Sequence, residues 1–281
     1  MIGALQSLYA HYTSADTAFK RILLGGKRLR LSRYAALDDP LEAQDWGLEV
    51  ISFVDQTPHT TREERDAATA AVRAAAQTLK ERIRVLCLTT DADLPFEQVG
   101  VFARCYARPR MWEHRANHHE GVCLLLSASS LDDAMIAKAR AAEFGRPGPV
   151  KYTDTALHNP RGISGLKDWD RHRDQGKAVE EYVRAHWDHY LFTKLADWTS
   201  EHEYRLAILS HADADEFLDC DGVILGVVLG HRFPSSQIPA ASSACEEARV
   251  KLWRIDWGGG YPTTEDLPGG NPATFSLTLE P

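Results

Sequence analysis

Three features of the sequence predict an α+β protein with one domain, built as a central mixed sheet flanked by helices. Segments of period 2 and period 3.6 are interspersed, they show no regular strand–helix–strand rhythm, and no glycine-rich turn follows the first strand. The domain is read as residues 1–257, with a Gly/Pro-rich tail at 258–281.

The elements follow in order. Leu8-Tyr9-Ala10-His11-Tyr12 alternates as a short strand, and Ser14 is placed to cap a helix that sets Phe19, Ile22 and Leu23 on one face before Gly25-Gly26 ends it. Leu29 and Leu31 alternate with Arg28, Arg30 and Ser32 as a half-buried strand, and the chain then turns at Asp38-Asp39-Pro40. Thr61-Arg62-Glu63-Glu64 is a capping box that opens an alanine-rich helix reaching about Arg82, followed by strand RVLCL. Pro109 suits the first turn of a helix carrying MWEHRANHH, closed by Gly121, and GVCLLL is a buried strand. Ser130 opens a helix halted at Gly145 and Pro147-Gly148-Pro149, before a strand VKY. Residues 159–176 read as a charged loop. Val179, Tyr182, Val183, His186, Trp187 and Tyr190 then recur at helical spacing and predict one long helix ending before Trp198. EYRLAIL and VILGVVL are strands, and Glu246 to Trp253 reads as a last short helix.

Composition narrows the class. Hydrophobic residues make up 44% and charged residues 26%, which excludes collagenous, coiled-coil and wholly disordered chains. The formal net charge of -8 disfavours an electrostatic grip of the whole protein on nucleic acid. Five dispersed cysteines without a CxxC pair fit reduced thiols rather than a disulfide framework or zinc ribbon. The first residues lack the basic start of a signal peptide, and no stretch nears the ~20 apolar residues of a membrane span, so a cytoplasmic location and no membrane partner are expected.

Among motifs, Glu201 and Glu203 stand two apart at the start of a strand and would share one face. Mutual repulsion could then separate a proton donor from an ionised carboxylate; alternatively, the pair lies at a solvated strand edge with Arg205 as counter-ion. His11-Tyr12-Thr13-Ser14 lies where strand meets helix, from which it could reach a ligand or simply cap. His114 and His118 have metal-ligand spacing on a helix, but Arg115 follows His114 where a metalloprotease helix has its glutamate. A metal-dependent hydrolase is therefore a secondary alternative, and no metal is expected. Glycine-rich nucleotide loops and a GxSxG elbow are missing, and Cys123 sits in an apolar strand that would raise its pKa. Trp112 and Trp198 precede polar clusters and are expected to be largely buried.

The ordered blocks LYAHYTS, LRLSRYAALDDPLE, MWEHRANHHEGVCL, LFTKLADWTSEHEYRL and GVVLG, from Leu8 to Gly230, resemble a bacterial family known as domain of unknown function number 2971. This family often has Asn-Asp-Pro at Asp38-Asp39-Pro40 and Tyr-Ala at the helix where His114-Arg115-Ala116 stands here. The layout of an aromatic-flanked histidine on the first strand and a glutamate on a late strand also resembles the ADP-ribosyltransferases, by analogy of pattern.

That second resemblance implies NAD as substrate, an ADP-ribosyltransferase-like fold, and a protein or nucleic-acid acceptor in a toxin or defence setting. It implies Glu203, Glu201 and His11 as the catalytic set. Glu203 would stabilise an oxocarbenium-like ribose, Glu201 would act on the acceptor, and His11 would bind the ribose. Tyr12, Thr13, Ser14, Arg33, Tyr34 and Arg205 would bind the nucleotide, with Tyr12 or Tyr34 stacking on nicotinamide. His11 and Glu203 are then expected on neighbouring strands facing one cleft. A non-catalytic binding module of the same family is the alternative.

Overall fold

The computed structural model describes residues 7–37, 39, 42, 45–52, 61–92, 100–155, 165–167, 169, 174–210 and 214–268. Asp38, Pro40, most of the 159–176 stretch and the last thirteen residues of the tail lie outside them.

The strands are β1 (Leu8–Thr13), β2 (Arg28–Arg33), β3 (Glu49–Val50), β4 (Ile83–Thr90), β5 (Val122–Ser127), β6 (Phe144–Pro149), β7 (Lys151–Thr153), β8 (Gly165–Leu166), β9 (Thr193–Leu195), β10 (Glu203–Leu209), β11 (Glu216–Asp219), β12 (Ile224–Leu229), β13 (Lys251–Asp256) and β14 (Thr263–Asp266). The α-helices are α1 (Arg62–Arg82), α2 (Pro109–Arg115), α3 (Ala128–Ala141), α4 (Gln175–Ala185), α5 (Trp187–Leu191) and α6 (Ile238–Ala248), and a π-type turn spans Thr17–Leu23. Ten strands form one open mixed sheet in the order β11-β2-β4-β1-β5-β12-β13-β14, with β10 and then β6 beyond the other edge of β4. The pairing is antiparallel except between β12 and β13. The α+β architecture expected from the sequence is the one observed.

One sheet face is covered by the π-type turn, α3 and α6, whose Ala18, Ile22, Leu131, Met135, Ala241 and Cys245 join alternate residues of the strands in one apolar cluster. The other face carries two clusters. One packs α1, α4 and α5 over Val85, Ala207 and Leu209; the second packs α2 over Ala10, Tyr12, Cys123 and Val228. A seam therefore separates two apolar bodies on the same face.

Local chemistry accounts for some of the boundaries. The capping box at Thr61 and Glu64 is formed in both directions, at 3.2 and 2.9 Å, and α1 runs to Arg82. Ser14 accepts the Thr17 amide at 3.2 Å.

Expectations for four segments fail here for identifiable reasons, besides those taken up below. The long helix breaks at His186, which leaves helical geometry (φ -117°, ψ 26°) while its ring nitrogen lies 2.9 Å from the Tyr182 carbonyl. The 246–253 stretch is not a helix: Arg249 adopts φ 58°, ends α6 at Ala248, and frees Lys251–Asp256 to pair between β12 and β14. Phe144–Pro149, read as a helix stop, is strand β6, since prolines are tolerated on a sheet edge. Thr263–Asp266, read as tail, adds β14 to the sheet.

Trp112 is fully buried, donates its indole N–H to the Tyr106 carbonyl at 2.8 Å, and meets the Tyr12 ring edge-on at 5.2 Å. Trp198 is only half-buried, with Lys194 5.0 Å and Arg110 6.0 Å from its ring centre. Trp112→Ala is expected to destabilise the protein by about 3–5 kcal/mol, since it empties a core site and orphans the Tyr106 carbonyl. Denaturant unfolding measures it, and an unchanged midpoint would contradict the packing described.

Candidate active site

The site is created by the way β4 shares one of its edges. Its N-terminal half pairs with β2 through Ser32↔Val85 and Arg33↔Arg84, and its C-terminal end pairs with β1 through Ala10↔Thr89 and Tyr9↔Thr90. Between them, at Leu86–Leu88, the sheet forks. On its other edge β4 pairs with β10 throughout, placing Glu203 opposite Thr89 and Arg205 opposite Cys87. A cavity of about 230 Å³ opens at the fork, bordered by residues that include His11, Ser32, Cys87, Lys194, Glu201, Glu203 and Arg205.

Alternation along β10 points Glu203 and Arg205 into the seam between the two apolar clusters. Arg205 is wholly buried. Its Nε donates to Glu203 Oε1 at 2.6 Å, and its Nη1 donates to Glu42 Oε1 at 2.7 Å and to the Leu191 carbonyl at 2.8 Å. Lys194, from β9, donates to Glu201 Oε2 at 2.8 Å and Glu203 Oε2 at 3.2 Å, and lies 3.8 Å from Glu42 Oε2. Arg115 at the end of α2 reaches Glu201 Oε1 at 3.2 Å. The Glu203 amide donates to the Tyr152 hydroxyl at 2.9 Å, which ties β10 to β7.

These contacts set the protonation states. Burial alone would push the Glu203 carboxyl upward, but Arg205 and Lys194 beside it prevail and hold it at about 2. Glu203 is thus governed by opposite charges rather than by repulsion from Glu201. Burial lowers the His11 pKa, with the Cys87 backbone, which hydrogen-bonds the ring, pulling the other way; His11 is a neutral imidazole at pH 7. Burial also raises the Cys87 thiol, reinforced by Glu203. Among the described residues bordering the cavity, Asp39, Glu42, Glu201 and Glu203 face Arg30, Arg115, Lys194 and Arg205, so the wall is balanced in charge.

The residues expected at a ligand site divide into two groups. Glu203, Glu201, His11, Tyr12 and Arg205 border the cavity. Thr13, Ser14, Arg33 and Tyr34 are not on its wall. Ser14 caps the first turn, Arg33 is exposed against Glu81 at 3.4 Å, and Tyr34 is core, its hydroxyl donating to the Tyr190 carbonyl at 2.8 Å. Tyr12 donates its hydroxyl to the Cys105 carbonyl at 2.6 Å and packs against Trp112, which removes its ring from a stacking role. Arg205 is no counter-ion at a solvated edge but the buried centre of the network. His11 and Glu203 stand on β1 and β10, which flank β4 rather than pair with each other. Alternation sends His11 toward the opposite face, and it meets the cavity because the fork leaves no strand beside it.

The metal alternative loses its helix. α2 stops at Arg115, and Asn117, His118 and His119 take left-handed conformations with φ of 46°, 52° and 67°. His114 is exposed, and the exposed His118 contacts Glu113 at 2.7 Å. Among the described residues, no group of three or more His, Cys, Asp and Glu side chains is placed to hold a metal ion. All five cysteines are free thiols, and no helix among the described residues is long and apolar enough to cross a membrane.

Sequence reasoning missed Glu42, Lys194, Cys87 and Arg115 as cavity residues. Glu42, Lys194 and Arg115 lie inside blocks that carry the family resemblance, which was the available signal.

Residues 111–206 match the family described as protein of unknown function (DUF2971). The DUF2971 match covers about a third of the chain and takes in Arg115, Lys194, Glu201, Glu203 and Arg205, while His11 and Glu42 lie before it. No curated protein and no solved structure matches the chain.

A carboxylate held this low contributes stability that is present above its unfolded pKa of about 4.3 and is lost as pH falls toward 2. Acid titration of folding is expected to show this loss between about pH 4.5 and 2. Glu203→Gln should flatten it and lower stability at pH 7 by about 3–5 kcal/mol, by leaving buried cations uncompensated. An acid limb identical in the two proteins would refute the assignment.

Proposed function

We propose that the cavity at the fork binds the nicotinamide-ribose end of NAD and that the chain cleaves its N-glycosidic bond, as an ADP-ribosyltransferase or NAD glycohydrolase does. The observation that carries this reading is a buried carboxylate, Glu203, held ionised on the wall of a cavity also bordered by the neutral imidazole of His11. As the C1′–N bond breaks, its electron pair leaves with nicotinamide and positive charge develops on the ribose. A fixed anion facing that charge lowers the barrier, and a neutral imidazole can hydrogen-bond a ribose hydroxyl. Water or an acceptor hydroxyl then bonds to C1′ and gives up its proton, a step in which Glu201 is the oriented carboxylate. A volume of about 230 Å³ suits one half of a dinucleotide, and the adenylate half would lie outside, past the exposed Arg30 at the rim.

A second reading, a binding module without turnover, is favoured by one observation. Both Glu203 oxygens already meet cations, Arg205 at Oε1 and Lys194 at Oε2, and a carboxylate so neutralised has less charge to offer a transition state.

Nicotinamide release and NAD affinity separate the two, measured on protein whose circular dichroism shows it folded. Glu203→Gln is expected to slow release by a factor of about 100 to 1,000 with NAD binding retained, whereas Glu201→Gln reduces transfer to an acceptor more than hydrolysis. NAD binding without release by the wild type selects the binding module. No NAD binding by folded wild type overturns both in this form.

A further inference from the structure

Lys80 lies near the end of α1, outside the cavity wall, with 1% of its surface exposed. Its Nζ donates to the Glu42 carbonyl at 2.9 Å and sits 4.8 Å from the Trp46 ring centre and 5.8 Å from that of Tyr34. The Glu42 side chain turns the other way: Oε1 accepts from Arg205 at 2.7 Å, and Oε2 lies 3.8 Å from Lys194. Those two cations are the ones that hold Glu203. An unbroken chain of contacts thus runs from a helix lysine, through one residue's backbone and side chain, to the carboxylate of the cavity.

We propose that Lys80 is a positioning residue for the cavity: its ammonium fixes the Glu42 backbone, so that the Glu42 carboxylate holds Arg205 and Lys194 in register with Glu203. The role of Glu203 in turnover rests on the function proposed above; the latch itself does not. A buried lysine is costly, and a hydrophobic residue of the same length would fill the space. What Lys80 adds is a charged donor on a carbonyl and a cation over two rings, both aimed at the segment that bears Glu42.

The latch has a pH signature. Among the described residues, the charged groups facing Lys80 are Glu42 and Asp45, with Asp45 itself 3.5 Å from Arg73, and the rings of Trp46 and Tyr34 lie against its ammonium. Burial lowers the Lys80 pKa to about 8 against the pull of Asp45 and Glu42. Above that pH the cation–ring contact disappears and the donor weakens, so the latch loosens in a range where the carboxylates of the network stay ionised.

Hydrogen exchange read by mass spectrometry tests this without any ligand. In peptides containing Glu42, corrected for the intrinsic base catalysis of exchange, wild-type protection is expected to fall several-fold between pH 7 and 9.5, with β5 peptides as the unchanged reference. The K80R protein stays charged and should keep its protection across that range. The K80M protein should exchange about tenfold faster than wild type at pH 7 in these peptides alone. If K80M fails to fold, the contrast between wild type and K80R decides. Protection independent of pH in wild type, or lost equally in K80R, overturns the latch. Where nicotinamide is released, kcat should decline over the same window in wild type and not in K80R. Absence of release at every pH would refute the catalytic reading and leave the exchange result to stand alone.

Discussion

The guanidinium of Arg205, with none of its surface exposed, is the constraint from which the rest of this face follows. A buried cation is tolerable only if anions and carbonyls surround it, so Glu203, Glu42 and the Leu191 carbonyl must converge on it. Two buried carboxylates then exceed one cation, and Lys194 supplies the second. Lys194 in turn meets Glu201, and Glu201 reaches Arg115, which is partly exposed. In this direction the network runs outward until it reaches a side chain that water touches. It joins segments remote in sequence, from Glu42 through α2 and β9 to β10, across a seam that apolar packing leaves open. Apolar clusters fix where the layers sit, and the ions fix how the two bodies on this face align.

Legibility in the sequence followed the range of the interactions involved. Thr61 and Glu64 announce α1 because both halves of a capping box lie within one turn, and EYRLAIL announces β10 because its short apolar run is contiguous in sequence. The break at His186 depends on a ring finding a carbonyl four residues back, and the helical periodicity runs straight through it. β6 was hidden for a different reason: Phe-Gly-Arg-Pro-Gly-Pro has the composition of a stop, and only the neighbour β10 makes it a strand. Within the site, Glu201 and Glu203 stood out because they are close together in sequence. Lys194 and Glu42 carried no local signature, since the need for them arises from Arg205 being buried, a property of the assembled sheet. Tyr34 and Arg33 show the converse: the ADP-ribosyltransferase resemblance implied a ligand role for both, while the fold sets one in the core and the other on the surface.

The fork gives the cavity its particular composition. Where β1 leaves β4 and β2 has not yet joined it, the main chain at Cys87 lacks a strand on that side, and the His11 ring supplies a hydrogen bond in its place. Structure and chemistry therefore share a residue. An imidazole that completes a sheet is held rigidly while burial keeps it neutral, the state in which it can serve a hydroxyl, so the cost of interrupting the ladder secures the orientation of a polar group at the cavity wall.

The edge strand β6 bears on a different matter, how this protein behaves among copies of itself. A ten-stranded open sheet offers rows of unpaired amides and carbonyls to any extended peptide that drifts by. At β6 the outer row is interrupted by Pro147 and Pro149, which have no N–H to give, and at β14 the sequence Thr-Thr-Glu-Asp sets acidic side chains along the margin. Strand-by-strand growth is discouraged at these two of the three margins among the described residues, the third being β11. The prolines that disguise β6 in the sequence are thus also what blunt one open margin of a wide sheet.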